Sequence, residues 1–145
     1  MSDDLNEVSP IQGSCLCGSV TYEVRPPFKL FQYCHCSRCR KITGSAFGSN
    51  IYATSAQLTW LSGEDNIQRY ELEDTKYFAS SFCRTCGSNL PWQVKSADTL
   101  IIPAGTIDNH PEISPKQNIH CASKAPWFLS SSDLPSFDTL PPRKR

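Results

Sequence analysis

The cysteines of this chain constrain its fold more than any other feature. Of eight cysteines in 145 residues, all but one lie in three short clusters with the spacings C-x-C, C-x-C-x-x-C and C-x-x-C. Clusters of this kind either pair as disulfides or bind metal ions, and in both cases the fold must bring distant segments together. The clustered residues are Cys15 and Cys17, then Cys34, Cys36 and Cys39, then Cys83 and Cys86.

The start of the chain favours metal binding over disulfides. Residues 1–7 are acidic and polar and lack the basic and apolar regions of a secretory signal. No segment approaches the ~20 apolar residues of a membrane span. We therefore expect a cytoplasmic protein without membrane contact, and disulfides rarely persist in the cytosol. A disulfide framework is the alternative, because the number of cysteines is even.

The remaining sequence predicts a mainly β fold. Alternating or apolar patterns predict strands at residues 20–24, 68–72, 76–82 and 100–102, whereas only Ser37–Thr43 has a helical composition, ending near Gly44. Eleven prolines and seven glycines indicate many loops. We expect one zinc-stapled domain at residues 13–127, built from several short antiparallel sheets with complex connections and at most one or two helical turns. Residues 1–12 and 130–145 are expected to form flexible or loosely packed tails.

Zinc is the metal that these spacings suit best. It prefers four thiolate or imidazole ligands at tetrahedral corners. A C-x-x-C turn followed by Gly87 brings both sulfur atoms to one ion, and in an extended C-x-C segment the two side chains project to the same face. An iron–sulfur cluster also uses thiolates and is the main competing metal centre.

The clustered cysteines divide naturally into four plus three. Two distant pairs can close a structural site, and the remaining three can hold a second ion while leaving a fourth position for an exchangeable ligand. His35, between two ligands, is expected to point away from the metal, and the isolated Cys121 is expected to be a small core residue. Three alternatives stay open: closure of the second site by Cys121 or by His120, and a permuted pairing of Cys34 and Cys36 with the third cluster.

A zinc ion with three thiolates would carry a net charge of about −1 and would be a weak Lewis acid. It would accept a further soft ligand, such as a small thiol, which loses its proton on binding. Glutathione as the thiol and a small aldehyde as the electrophile fit this chemistry. Arg38, Arg40 and Lys41 could meet the carboxylates of an anionic thiol, or they could be solvated charges that offset the thiolates.

The charge balance argues against nucleic acid as the main partner. The chain has 14 basic and 14 acidic side chains, whereas nucleic-acid modules usually carry a basic excess. The basic end, Arg143 to Arg145, is the one feature that favours such a partner. The rival hypothesis is a zinc-stabilised binding module without catalysis. The oligomeric state cannot be predicted from the sequence.

The clusters and their flanking residues resemble those of the GFA family, the glutathione-dependent formaldehyde-activating enzymes, which also includes centromere protein V. The resemblance rests on stretches that follow the family's order: residues 13–18, 34–41 with Gly44, 61–63, 82–88, 103–108, and His120 with residues 123–127.

The resemblance implies a complex mainly β fold and two zinc ions per chain. It implies carbon–sulfur lyase activity, with formation of S-hydroxymethylglutathione as the named example. It also implies two ligand sets, a structural one at Cys15, Cys17, Cys83 and Cys86 and a catalytic one at Cys34, Cys36 and Cys39.

Overall fold

The computed structural model describes residues 9–143 and confirms a mainly β fold. The elements within this part of the chain are eleven strands, one short α-helix and several single 3₁₀ turns. The helix, α1, spans Ser37–Thr43. The strands are β1 (Ile11–Ser14), β2 (Thr21–Val24), β3 (Leu30–Cys34), β4 (Gly48–Thr54), β5 (Leu58–Ser62), β6 (Ile67–Glu71), β7 (Ala79–Cys83), β8 (Asn89–Leu90), β9 (Trp92–Gln93), β10 (Thr99–Pro103) and β11 (Gln117–Ile119).

These strands form three small sheets. The central sheet has the order β11-β3-β4-β10-β9, and two three-stranded sheets have the orders β1-β2-β5 and β6-β7-β8. All pairs are antiparallel, as expected, except β11 with β3, which are parallel. The parallel pair arises because a long connection after β10 carries the chain back across the sheet to its opposite edge. A side-chain bond from Gln117 Nε2 to Gln32 Oε1, at 2.8 Å, supports this edge pairing.

The main apolar core lies between the β1-β2-β5 sheet and the central sheet. Its buried members come from alternate positions of several strands, as expected for sheets with one covered face. Tyr22 is fully buried there, and its hydroxyl bonds to Thr106 Oγ1 at 2.7 Å. Gly13 lies against the same ring, where an added Cβ would lie 2.2 Å from Tyr22 Cζ. The core residues are Ile11, Tyr22, Val24, Phe31, Ile51, Ala53, Leu100 and Ile102.

Most elements predicted from the sequence are present. The predicted strands at 20–24, 68–72 and 100–102 correspond to β2, β6 and β10, and the predicted helix has the same bounds as α1. Gly44 ends that helix in the left-handed conformation, with φ 66°. The predicted strand at 76–82 is half wrong, because β7 begins only at Ala79. Residues 72–78 instead form a loop whose carbonyls bond to Lys95 and Ser96.

The chain after β11 runs as turns over the surface, and the large apolar side chains of Trp127, Leu129 and Leu140 are exposed. The predicted lead-in at 1–12 falls mostly outside the described residues, as do Lys144 and Arg145 of the basic end. The proposed domain limits and the looseness of the tails stay predictions. None of the helices between residues 9 and 143 has the length and apolar character needed to cross a bilayer.

Candidate metal centres

The first centre is a four-cysteine cluster, formed by Cys15, Cys17, Cys83 and Cys86. Two turns build it: one joins β1 to β2, and the other joins β7 to β8. Glycine closes each turn, because Gly18 and Gly87 take φ values of 81° and 79° that other residues rarely adopt. The four sulfur atoms lie within 4.8 Å of one another. The structure thus brings together the two pairs that the sequence analysis placed in one site.

Hydroxyl and amide groups surround the four-cysteine cluster. Ser19 Oγ lies 3.2 Å from Cys17 Sγ and 3.5 Å from Cys83 Sγ, and Ser88 Oγ lies 3.2 Å from Cys86 Sγ. The hydrogen bond from Ser88 is the largest factor that lowers the pKa of the Cys86 thiol, to about 5. Donors of this kind stabilise thiolates. The fit to a tetrahedral thiolate-bound ion therefore rests on both the sulfur positions and their surroundings.

The second centre is a three-cysteine cluster, formed by Cys34, Cys36 and Cys39. Cys34 ends β3, Cys36 caps the N-terminus of α1, and Cys39 lies in the first turn of α1. The cap is a hydrogen bond from the backbone N–H of Cys39 to Cys36 Sγ at 3.3 Å. All three side chains are buried, and their sulfur atoms lie within 4.8 Å of one another.

The three thiols interact strongly with each other. The pKa of Cys34 is lowered to about 5, chiefly by a hydrogen bond with the Cys39 thiol. The same hydrogen bond is the largest factor that raises the pKa of Cys39, and burial acts in the same direction. The two opposite shifts thus have one common cause, the close contact between the Cys34 and Cys39 sulfur atoms. This donor set, three soft ligands on a strand end and a helix start, fits a thiophilic divalent ion.

The three-cysteine cluster borders a cavity of about 730 Å³, which we call the large cavity. Cavities of roughly 300–1,000 Å³ hold most small-molecule ligands. Arg38 and Lys76 supply positive charge to its wall, and the guanidinium carbon of Arg38 lies 5.7 Å from the ring centre of Phe78. Of the three basic residues near the cluster that the sequence singled out, only Arg38 borders the large cavity; Arg40 and Lys41 do not.

His35 points away from the three-cysteine cluster, as predicted. Its side chain is 1 % exposed, its Nε2 bonds to Asn118 Oδ1 at 2.9 Å, and its ring packs against Phe47 and Phe128. Because the amide oxygen can only accept, Nε2 carries the proton of this imidazole. His35 is therefore a packing residue.

Cys121 is exposed, so its prediction as a small core residue was wrong. It lies in the 3₁₀ turn Cys121–Ser123, which follows the edge strand β11 at the surface. His120 borders the large cavity, but within residues 9–143 neither His120 nor Cys121 joins the three sulfur atoms at the 4.8 Å spacing. The permuted pairing is not seen either, because Cys34 and Cys36 group with Cys39.

The model of the family described as glutathione-dependent formaldehyde-activating enzyme matches residues 10–123. This chain belongs to the GFA family. The match spans both cysteine clusters, so the GFA assignment predicted from the sequence is confirmed.

Among solved structures, a crystal structure of a protein from Rhodobacter sphaeroides is similar to this GFA protein. The two share 25% sequence identity and superpose with a TM-score of 0.57. The superposition covers 74% of this chain and 98% of the other. The comparison with curated protein sequences found no match.

Several residues around the centres were missed at the level of sequence. Ser19 and Ser88 each follow a cysteine and a glycine, so the repeated C-G-S triplet was a signal that could have identified them. Asn50 and Asn66 contact cysteine sulfur atoms from remote segments, and no local pattern marks them. The loop 72–78 on the wall of the large cavity was hidden by its strand-like composition.

Proposed function

We propose that this GFA protein catalyses formation or cleavage of an adduct between a glutathione-like thiol and a small aldehyde such as formaldehyde. The four-cysteine cluster would hold a structural zinc ion and the three-cysteine cluster a catalytic one, two per chain. The observation that carries the proposal is that Cys34, Cys36 and Cys39 border the large cavity. Membership of a family described as glutathione-dependent and formaldehyde-activating supports the same chemistry.

The reaction is an addition in which no atom is oxidised or reduced. A carbon–sulfur bond forms between the thiol and the carbonyl carbon, the C=O π bond breaks, and the proton of the thiol ends on the carbonyl oxygen. A zinc ion on three thiolates would supply an exchangeable position where the incoming thiol is held as its thiolate. The reverse reaction uses the same groups.

The residues of the large cavity would bind and orient the thiol. Glutathione carries two carboxylates, and Arg38 and Lys76 offer cations on the cavity wall to meet them. Phe78 lies beneath the guanidinium of Arg38 and limits its freedom. Trp92 and Tyr77 border the same space and can pack against the aliphatic part of a tripeptide.

The proposal extends to the location and limits of the domain. We propose that residues 13–127, together with Ile11 and Gln12 of β1, form the working zinc domain, with looser segments on either side, and that the protein works in the cytoplasm. The family model, which spans residues 10–123, and the position of both clusters within that span support these limits. Cytoplasmic glutathione and a reducing environment would keep the clustered thiols available for metal.

The test is the rate of S-hydroxymethylglutathione formation, followed by magnetisation exchange between free and bound formaldehyde. We expect the zinc-loaded protein to accelerate this exchange above the spontaneous rate, and Cys36→Ser to abolish the acceleration. Cys121→Ser is the matched control and should retain it. Equal exchange rates with and without the wild-type protein would contradict the proposal and favour a binding module.

A further inference from the structure

A second, smaller cavity reaches the three-cysteine cluster from another side. It has a volume of about 190 Å³, and we call it the small cavity. Exposed Thr43 and Gly105 lie at its surface, and buried Cys39 lies at its inner end. Cys39 is thus the cluster ligand that borders both cavities.

The two cavities adjoin at Cys39. Asn50, Phe78 and Trp92 also line both of them. The amide Nδ2 of Asn50 lies 4.0 Å from Cys39 Sγ. Both cavities therefore border the same cluster cysteine and the same asparagine.

The small cavity is lined by apolar and polar side chains and suits a small molecule. Its volume lies below the roughly 300 Å³ of typical sites for larger ligands, so a tripeptide thiol does not fit there. Polar side chains line it at Thr43, Ser49, Asn50 and Asn89, and Ser80 contributes a buried hydroxyl that has no hydrogen-bond partner within the described chain. A buried hydroxyl without a partner is costly.

We propose that the small cavity is the binding site and the route of the carbonyl substrate, a polar molecule of one or two carbon atoms or its hydrate, while the thiol occupies the large cavity. The inference rests on the proposed function. It places the thiol and the carbonyl compound in different cavities beside Cys39. The volume of each cavity then limits the size of the reactant that it binds. Asn50 would then contact the substrate directly, because its amide can donate to the carbonyl oxygen when the thiolate sulfur attacks the carbon.

Two substitutions to leucine distinguish the cavities. Gly105→Leu places a side chain at the mouth of the small cavity, where an added Cβ meets no atom within 4 Å and the backbone has no positive φ. Ala97→Leu places the same side chain on the exposed rim of the large cavity. Zinc content and circular dichroism of the full-length variants establish that both have folded.

Kinetics with the zinc-loaded protein then give opposite expectations. Gly105→Leu should raise KM for formaldehyde about tenfold or more, and should leave KM for glutathione within about twofold. Ala97→Leu should raise KM for glutathione about tenfold or more and leave KM for formaldehyde within about twofold. If Gly105→Leu changes neither constant, or if it raises KM for glutathione instead, the assignment of the small cavity is overturned.

A binding measurement tests the site without turnover. Acetamide is an unreactive carbonyl compound of suitable size, and we expect it to shift the backbone amide signals of Thr43 and Gly105 in the wild-type protein. Ala97→Leu should keep these shifts and Gly105→Leu should lose them. Shifts confined to the large cavity would overturn the inference. A wild-type protein that binds acetamide here but does not accelerate adduct formation would refute the proposed function alone.

Discussion

The side-chain amide of Asn66 donates a hydrogen bond to the sulfur atom of Cys83 at 3.6 Å, and it also bonds to Ser19 Oγ at 3.2 Å. Asn66 Nδ2 further reaches Thr85 Oγ1 at 2.9 Å. One amide thus joins the turn after β1 to the turn after β7, although the two turns lie far apart in the sequence. A closed site with four thiolates carries a surplus of negative charge, and donors to sulfur reduce its cost.

Replacing Asn66 should therefore weaken the metal site more than the fold. We expect Asn66→Ala to lower zinc affinity of the four-cysteine cluster about 10–100-fold, the range found for groups that support metal ligands. Competition with a chromophoric chelator measures this affinity. Gln68→Ala is the control, because among residues 9–143 its side chain bonds only to the neighbouring Arg69 carbonyl. Equal affinities in the two variants would show that the amide does not support the cluster.

Removing single cysteines should separate the two centres. We expect the wild-type protein to hold one ion in each of its two cysteine groups. Cys83→Ser should lose one ion and about 3–5 kcal/mol of unfolding free energy, because this sulfur ties two sheets together. Cys34→Ser should lose one ion with a smaller loss of stability. Metal analysis and urea unfolding measure both quantities.

The exposed Cys121 provides the matched control for those variants. Cys121→Ser should keep both ions, because its side chain lies at the surface and outside both groups. His120→Ala should keep both ions too. Loss of an ion from either variant would mean that the chain closes the three-cysteine cluster itself.

We expect Lys95 to stabilise the conformation of loop 72–78, which borders the large cavity. Its ammonium, half-buried, donates to the carbonyls of Leu72 and Thr75 at 2.9 and 2.7 Å. We expect Lys95→Met to destabilise the protein by about 1–3 kcal/mol and to raise KM for the thiol while kcat changes little. Lys29→Met, at an exposed lysine, is the control for loss of one charge.

Hydrogen exchange locates the effect of the Lys95 substitution. The Leu72 amide bonds to the carbonyl of Phe78, and the Lys95 amide bonds to that of Tyr77. Faster exchange of these amides in Lys95→Met, with unchanged exchange in β4, is the expected result. Uniformly faster exchange would show a general loss of stability instead.

Tyr22 should make the protein sensitive to alkaline pH. Burial raises the pKa of Tyr22 to about 12, and the charge of Asp108 acts in the same direction. The folded protein therefore holds this proton more tightly than the unfolded chain, whose tyrosine titrates near pH 10. The resulting stability is fully present below about pH 10 and is lost as the pH rises through about 12.

Urea unfolding at pH 8 and at about pH 11 tests this linkage. We expect the unfolding free energy of the wild-type protein to fall over this interval. The unfolding free energy of Tyr22→Phe should fall less steeply, although this variant is less stable at pH 8. The phenylalanine variant loses the bond to Thr106 but has no proton to release. The same slope in both proteins would exclude Tyr22 as the source.

The sequence predicted the parts of the fold that local chemistry determines. Helix α1 was predicted with its correct bounds because its composition is helical and Gly44 ends it. The strand at residues 76–82 was overextended because the lysine that holds its first half as a loop lies in a remote segment.

The grouping of the cysteines was predicted from the sequence, but the residues around them were not. The spacing within each cluster is a local property, and the structure groups the cysteines four plus three as predicted. The predicted burial of Cys121 was wrong because burial here depends on the path of the chain after β11. No local sequence pattern determines that path. The two cavities are likewise products of packing between distant strands.

Cobalt substitution tests the central claim most directly. The full-length protein is loaded with Co²⁺, and X-ray absorption and visible spectra are recorded with and without millimolar glutathione. The four-cysteine cluster should contribute an unchanging four-sulfur signal. We predict that glutathione adds one sulfur ligand to the ion at Cys34, Cys36 and Cys39 and strengthens its thiolate-to-cobalt bands. Spectra that are identical before and after addition of the thiol would contradict the account.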